Sequence, residues 1–260
     1  MKEKNMPLEL VNLAFKAGSL IMDIYQKDFD VNLKEDNSPV TIADQKAEKL
    51  ILSALDDIFP NIPVISEEAY SIGFVPKFDK KFFLVDPLDG TKEFIKKNGE
   101  FTVNIGLIED NIAKLGVVYA PEKGFMYFCD ENNNAFELKI KPNFSGSISE
   151  AKRIRVNSSR ISDLTAITSR SHNNQETTDF LKDYKIKETL FAGSSYKFCL
   201  IASGKADIYP RLTPTCEWDT AAGHAVLKAA GGNICSLDGN ELTYGFKEKK
   251  FINPSFLARN

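Results

Sequence analysis

Val85-Asp86-Pro87-Leu88-Asp89-Gly90-Thr91 carries an apolar strand, begun at Phe82, straight into two aspartates separated by Pro-Leu. Pro87 fixes its own φ and restricts the residue before it, which makes the turn rigid. Such a turn can aim both carboxylates and a backbone carbonyl to one side. Oxygen ligands of this kind suit a hard cation such as Mg²⁺, with water and phosphate completing the shell. Gly90 and Thr91 open a helical turn through Phe94, whose backbone N–H groups suit a phosphate. A lone Asp-Gly would be read as a helix cap; the longer run behind an apolar strand points to metal and phosphate.

Working outward, three other acidic segments have similar settings. Ser66-Glu67-Glu68 follows the short apolar run Val64-Ile65. Trp218-Asp219-Thr220 precedes the alanine-rich stretch Ala221, Ala222, Ala225, Ala229, where Asp219 serves equally as an N-cap or as a ligand held by a helix start. Thr41-Ile42-Ala43-Asp44 has the form of a capping box, with Asp44 in the first helical turn.

The surrounding pattern defines the architecture. Leu10, Ala14, Ala17, Ile21 and Ile24 repeat at helical spacing after Pro7. A second helix opens at Thr41, buries Leu50, Ile51, Ala54, Leu55 and Ile58, and ends at Pro60. Phe101 to Ile108 and Ile112 to Tyr119 read as a hairpin, continued by Phe125 to Phe128 and Ala135 to Leu138. Residues 140 to 152, rich in Ser, Gly and Lys, read as a connection. Beyond it, strands at 165–168, 186–190 and 206–209 alternate with helices at 174–184, 195–203 and 220–230. The expectation is one α/β domain with an α+β lobe over about 1–145 and an α/β lobe over about 150–260.

Composition narrows the function. The 260 residues carry a net charge of −3, which argues against a surface for a nucleic-acid polymer. No stretch approaches the ~18 apolar residues of a membrane span, and no signal peptide is evident. The four cysteines form no CxxC pair, so free thiols in a reducing cytoplasm are expected. Only two histidines are present, His172 and His224, and neither sits beside a recognisable nucleophile. The carboxylates are therefore the place to look for chemistry.

Together, SPVTIAD (38–44), SEE (66–68), DPLDGTKEF (86–94) and EWDTAAGHAVLKAAGG (217–232) resemble the inositol monophosphatase superfamily of lithium-sensitive, Mg²⁺-dependent phosphatases. The segments stand in that family's order and span nearly the whole chain. Lys92-Glu93, SRSH (169–172), GSSYKF (193–198) and the approach to Asp219 are similar to its 3'(2'),5'-bisphosphate nucleotidase branch.

The resemblance implies an αβαβα sandwich binding two or three Mg²⁺ ions. It assigns Glu67, Asp86 and the Leu88 carbonyl to a first metal, and Asp86, Asp89 and Asp219 to a second, with Glu67 serving a third. It assigns Asp44 and Thr91 to the pair that orients the attacking water, and it gives Glu68 no direct ligand role. The N–H groups of Gly90 and Thr91 would hold the phosphoryl oxygens.

The substrate implied is a small phosphate monoester, a nucleoside bisphosphate such as adenosine 3',5'-bisphosphate. Lys197 and Arg170 are candidates for its second phosphate, with Ser194, Ser195 and His172 as hydrogen-bond partners. Arg211 and Lys34 are read as structural ion-pair residues and His224 as packing. An inositol phosphate or a sugar bisphosphate uses the same metal motifs and stays open as substrate. A non-catalytic nucleotide or metal sensor on the same fold is the reading from another class.

Overall fold

A computed structural model of the chain describes residues 5–34, 39–141, 144–158, 162–171 and 174–260. Helix α1 (Met6–Tyr25) starts where Asn5 accepts a hydrogen bond from the N–H of Leu8, with Pro7 in the first turn, where its missing N–H costs nothing. It buries Leu10, Ala14, Ala17 and Ile21 along one face. Strands β1 (Val31–Leu33) and β2 (Pro39–Thr41) form a short antiparallel ribbon that the sequence pattern did not announce. Helix α2 (Ile42–Ile58) follows directly, capped by Thr41.

The next nine elements build most of one layer: β3 (Val64–Ser66), α3 (Glu67–Ser71), β4 (Lys81–Asp89), α4 (Thr91–Ile95), β5 (Thr102–Glu109), β6 (Ile112–Ala120), β7 (Phe125–Cys129), β8 (Ala135–Lys139) and β9 (Lys152–Ile154). Their seven strands lie in sequence order; β3 and β4 are parallel and every other pair is antiparallel. The hairpin between β5 and β6 turns on Asp110 and Asn111, both at positive φ, as a tight two-residue connection requires. Because β9 pairs with β8, this sheet runs to Ile154, past the expected connection.

The remainder is β10 (Leu164–Ser169), α5 (Gln175–Leu181), β11 (Ile186–Ala192), α6 (Tyr196–Ala202), β12 (Ile208–Arg211), α7 (Glu217–Ala229), β13 (Asn233–Ser236) and β14 (Phe256–Arg259). The five strands are ordered β11-β10-β12-β14-β13. The layers run α1 and α2, the seven-stranded sheet, α6 and α7, the five-stranded sheet, then α5, which is the α/β sandwich expected. β13 and β14 were not anticipated.

Two packing features place the functional residues. Helix α7 lies on a glycine seam: a Cβ on Gly106 would stand 2.9 Å from the Ala222 nitrogen, and one on Gly116 would strike the Ala222 backbone. Only glycine there lets the helix sit this close to the sheet. The five-residue α4 is too short to hold itself. Phe94 anchors it, fully buried with its ring 5.1 Å from those of both Tyr25 and Phe101. Burying such a side chain is worth about 1.5–3 kcal/mol.

Among the described residues no helix is long and apolar enough to cross a membrane. The four cysteines carry no disulfide.

Candidate active site

One oxygen each from Glu67, Asp86 and Asp219 lie within 4.8 Å of one another. The topology explains the meeting. β3 and β4 run parallel with Ser66 beside Val85, so Glu67, just past the end of β3, and Asp86, still within β4, come side by side. The glycine seam seats the first turn of α7 above them. That helix begins at Glu217, one turn earlier than expected; Cys216 is its N-cap, and Asp219 accepts the Cys216 N–H at 2.8 Å.

Strand β4 does not end at Val85. It continues through Asp86, opposite Asn104, and resumes pairing at Asp89, opposite Thr102, with a register irregularity between. Pro87 has no N–H for the ladder, and a bulge is where a strand tolerates that. Asp86 Oδ1 accepts the Leu88 N–H at 3.0 Å, fixing the bulge. Gly90 follows at φ 95°, a conformation that favours glycine, and α4 starts at Thr91.

These carboxylates line a cavity of about 450 Å³ together with Leu88, Asp89, Gly90 and Thr91. Burial pushes the Asp86 carboxyl well above the ordinary range, and the charges of Glu67, Asp89 and Asp219 push it further. Burial does the same to Asp219, with Asp89 and Glu67 adding to it. Asp89 rises to about 6 by burial, opposed by Lys197 and by the Ser195 N–H. Lys34 bridges Glu67 and Glu68 at 2.7 Å each; burial opposes its charge but the two carboxylates hold it protonated. Its structural ion pair was expected. The ammoniums of Lys34 and Lys197 do not offset these carboxylates, for the Asp86, Asp89 and Asp219 carboxyls still stand above their ordinary range. An all-oxygen donor set with uncompensated negative charge fits a hard divalent cation.

Beside the cluster, Thr91 Oγ1 donates to Asp44 Oδ1 at 3.0 Å. Asp44 Oδ2 accepts the Thr41 N–H at 2.7 Å and the Thr41 hydroxyl at 2.6 Å, so the capping box aims the carboxylate at Thr91. Burial raises Asp44, and those hydrogen bonds oppose the rise. A divalent cation nearby acts in the same direction as the hydrogen bonds.

The expected substrate contacts divide. Ser194, Ser195 and Lys197 line the cavity. The Ser195 side chain turns inward, donating to Asn104 Oδ1 at 2.6 Å with Thr102 Oγ1 at 2.8 Å, while its N–H binds Asp89 Oδ2 at 2.6 Å. Lys197 is buried, donates to the Ser194 carbonyl at 2.5 Å and lies 5.1 Å from the Tyr209 ring centre. Burial lowers it to about 8 although Asp89 opposes this. Arg170 is placed outside the cavity lining; its guanidinium binds both Glu100 oxygens, at 2.7 and 2.9 Å. His172 lies outside the described residues.

Three residues gain weight from the geometry. Arg211 ends β12 in the cavity wall, donating to the Thr213 and Pro214 carbonyls; among the described residues it does not stand in the ion pair expected for it. A cation at the carboxyl end of a strand was the available signal. Glu100, before β5, had none. Glu93 also lines the cavity, buried and bonded to the Ser171 hydroxyl.

A layered sheet-and-helix fold that converges buried carboxylates on one cavity, beside a threonine–aspartate couple and a helix start, is the architecture of a metal-dependent phosphatase. The chain belongs to the inositol monophosphatase family, whose model matches residues 4–258. It is 44% identical over 250 residues to the 3'(2'),5'-bisphosphate nucleotidase CysQ of Salmonella typhimurium, covering 95% of this chain and 97% of that one. The crystal structure of CysQ from Bacteroides thetaiotaomicron matches with a TM-score of 0.80 at 37% identity, covering 99% of this chain and 98% of the other. The Thermotoga maritima IMPase shares the fold at a TM-score of 0.78 and 22% identity, covering 96% and 90% of the two chains.

Proposed function

We propose that the chain is a Mg²⁺-dependent 3'(2'),5'-bisphosphate nucleotidase that hydrolyses the 3'-phosphate of adenosine 3',5'-bisphosphate to AMP and phosphate. The observation that carries the chemistry is the Glu67, Asp86 and Asp219 cluster standing beside the Thr91–Asp44 hydrogen bond. The likeness to the CysQ nucleotidases over nearly full length supports the substrate.

Glu67, Asp86, Asp89, Asp219 and the Leu88 carbonyl would hold two or three Mg²⁺ ions, which supply Lewis-acid stabilisation and lower the pKa of bound water. The chain's own groups do the rest. Thr91 spends its proton on Asp44, which leaves its hydroxyl oxygen as an acceptor that orients the attacking water. Asp44 must be ionised to receive that proton, and the Thr41 donors favour the ionised form. The N–H groups of Gly90 and Thr91, where α4 begins, would hold the phosphoryl oxygens, where charge spreads in a loose transition state. Lys197 and Arg211, both in the cavity wall, supply the cations for the non-reacting phosphate.

The test is phosphate release from adenosine 3',5'-bisphosphate and from inositol 1-phosphate, each with Mg²⁺ and with EDTA. Preference for the nucleotide, abolished by chelation, supports the reading. Preference for the inositol ester would keep the metal chemistry and overturn the substrate.

A further inference from the structure

We propose that Glu100 and Arg170 form a positioning clamp that holds Asp89 in place for its cation, so that Arg170 serves the reaction without touching the substrate. This rests on the metal-dependent phosphatase reading above.

The chain of contacts is continuous. Arg170, just past β10, grips both oxygens of Glu100 and also donates to the Phe191 carbonyl at 2.8 Å. Two parallel N–H···O bonds to a carboxylate fix orientation as well as distance, which a lysine cannot reproduce. The Glu100 Oε2 so oriented accepts the Gly193 N–H at 2.9 Å. Gly193 packs directly on Glu100: a Cβ there would stand 2.5 Å from the Glu100 carbonyl oxygen.

The next residue, Ser194, is at φ 52°, a left-handed conformation that a non-glycine side chain adopts only when its surroundings impose it. Ser195 is then pinned through its hydroxyl to Asn104 and Thr102. The strained turn is thus fastened on both sides to β5 and the residues leading into it. Its output is the Ser195 N–H, 2.6 Å from Asp89 Oδ2. The same turn presents the Ser194 carbonyl to Lys197.

The clamp also joins the two sheets. Arg170 and Gly193 follow β10 and β11 of the five-stranded sheet, whereas Glu100 leads into β5, whose Thr102 pairs with Asp89. A partner that orients a ligating carboxylate through a hydrogen bond affects metal affinity without touching the metal.

The experiment compares Glu100→Gln, Arg170→Ala and the double variant with the parent chain. Mn²⁺ binding is titrated by electron paramagnetic resonance, and kcat and KM are measured on adenosine 3',5'-bisphosphate and on adenosine 3'-monophosphate. Thermal midpoints establish that each variant is folded; the conservative Glu100→Gln keeps the test available should Arg170→Ala unfold.

The clamp predicts about tenfold weaker Mn²⁺ binding in both single variants. It predicts equal fold-losses in kcat/KM on the two esters, and a double variant no worse than either single one. Unchanged Mn²⁺ affinity, a loss confined to the bisphosphate in Arg170→Ala, or additive losses in the double variant would each overturn it. Should the parent chain hydrolyse neither nucleotide, the substrate reading fails while the Mn²⁺ titration still decides the clamp.

Discussion

Thr91 Oγ1 and Asp44 Oδ1 meet at 3.0 Å although 47 positions separate them, and each is placed by a different device. Phe94 anchors the short helix that begins at Thr91; a capping box holds Asp44. The couple can therefore be tested apart from the metal ligands. Thr91→Val removes the hydroxyl and keeps the shape. It should lower kcat about 10²- to 10⁴-fold, the usual worth of a group that handles the attacking proton. Mn²⁺ binding should be unchanged. A kcat within a few-fold of the parent, on the order of ordinary hydroxyl effects, would remove Thr91 from the mechanism.

Asp86 should show opposite signs for activity and stability. Burial pushes its carboxyl well above the usual 3.8, and the charges of Glu67, Asp89 and Asp219 push it further. Below pH 3.8 it is protonated in folded and unfolded states alike. As pH rises above that value the folded state retains the proton longer, so metal-free stability is progressively lost. Asp86→Asn keeps the oxygen that accepts the Leu88 N–H and has no charge to bury. In EDTA the variant should unfold at a higher temperature than the parent, by a margin that grows from pH 4 to pH 7. With Mg²⁺ it should lose nearly all turnover. A variant less stable than the parent in EDTA at pH 7 would contradict the electrostatic account.

How far this centre could be read from the sequence depended on whether the determining contacts were local. The Asp86–Asp89 turn, the Thr41–Asp44 capping box and the helix that carries Asp219 are each written within a few residues, and each could be read there. Two local readings still missed geometry. The bulge that extends β4 to Asp89 depends on Asn104 and Thr102 across the ladder. The start of α7 depends on Phe251, whose carbonyl accepts the Glu217 N–H. Arg170 and Glu100 are 70 positions apart, so nothing near Arg170 announced that its guanidinium was already engaged. The strands β13 and β14 are four residues each, too short for a period to register against their neighbours.

His224 should make the protein acid-labile. The ring is fully buried in α7, and its Nδ1 lies 2.8 Å from the Tyr244 hydroxyl. Burial lowers its pKa from 6.5 to about 4, with Glu241 opposing and Lys228 adding to the effect. Between those values the unfolded chain binds the proton and the folded chain does not, so stability falls as pH drops from 6.5 to 4. The loss is on the order of 3 kcal/mol by the usual conversion of pKa to free energy. His224→Gln keeps a group able to pair with Tyr244 but does not titrate. Chemical denaturation at pH 4.5 and pH 7 should show a smaller difference for the variant than for the parent; equal differences would mean that other groups govern acid unfolding.

Lys197 links substrate preference to pH. Its ammonium is buried and shares the cavity lining with Asp89 and Arg211, and burial brings its pKa down to about 8. If it holds the non-reacting phosphate, kcat/KM for adenosine 3',5'-bisphosphate should fall as pH rises through about 8, because this parameter reports the free enzyme. Adenosine 3'-monophosphate lacks that phosphate and should show no such limb. Lys197→Met should abolish the limb and cut kcat/KM for the bisphosphate roughly 10- to 150-fold, the worth of a charge-assisted hydrogen bond. Stability should move the other way. Below pH 8 the parent buries an ammonium that the variant lacks; between pH 8 and the ordinary 10.5 the folded parent sheds that proton before the unfolded chain does and recovers. The variant's advantage in unfolding midpoint should therefore shrink across that interval. Equal losses on both esters would instead mean that Lys197 acts through Asp89, the carboxylate whose pKa it already holds down.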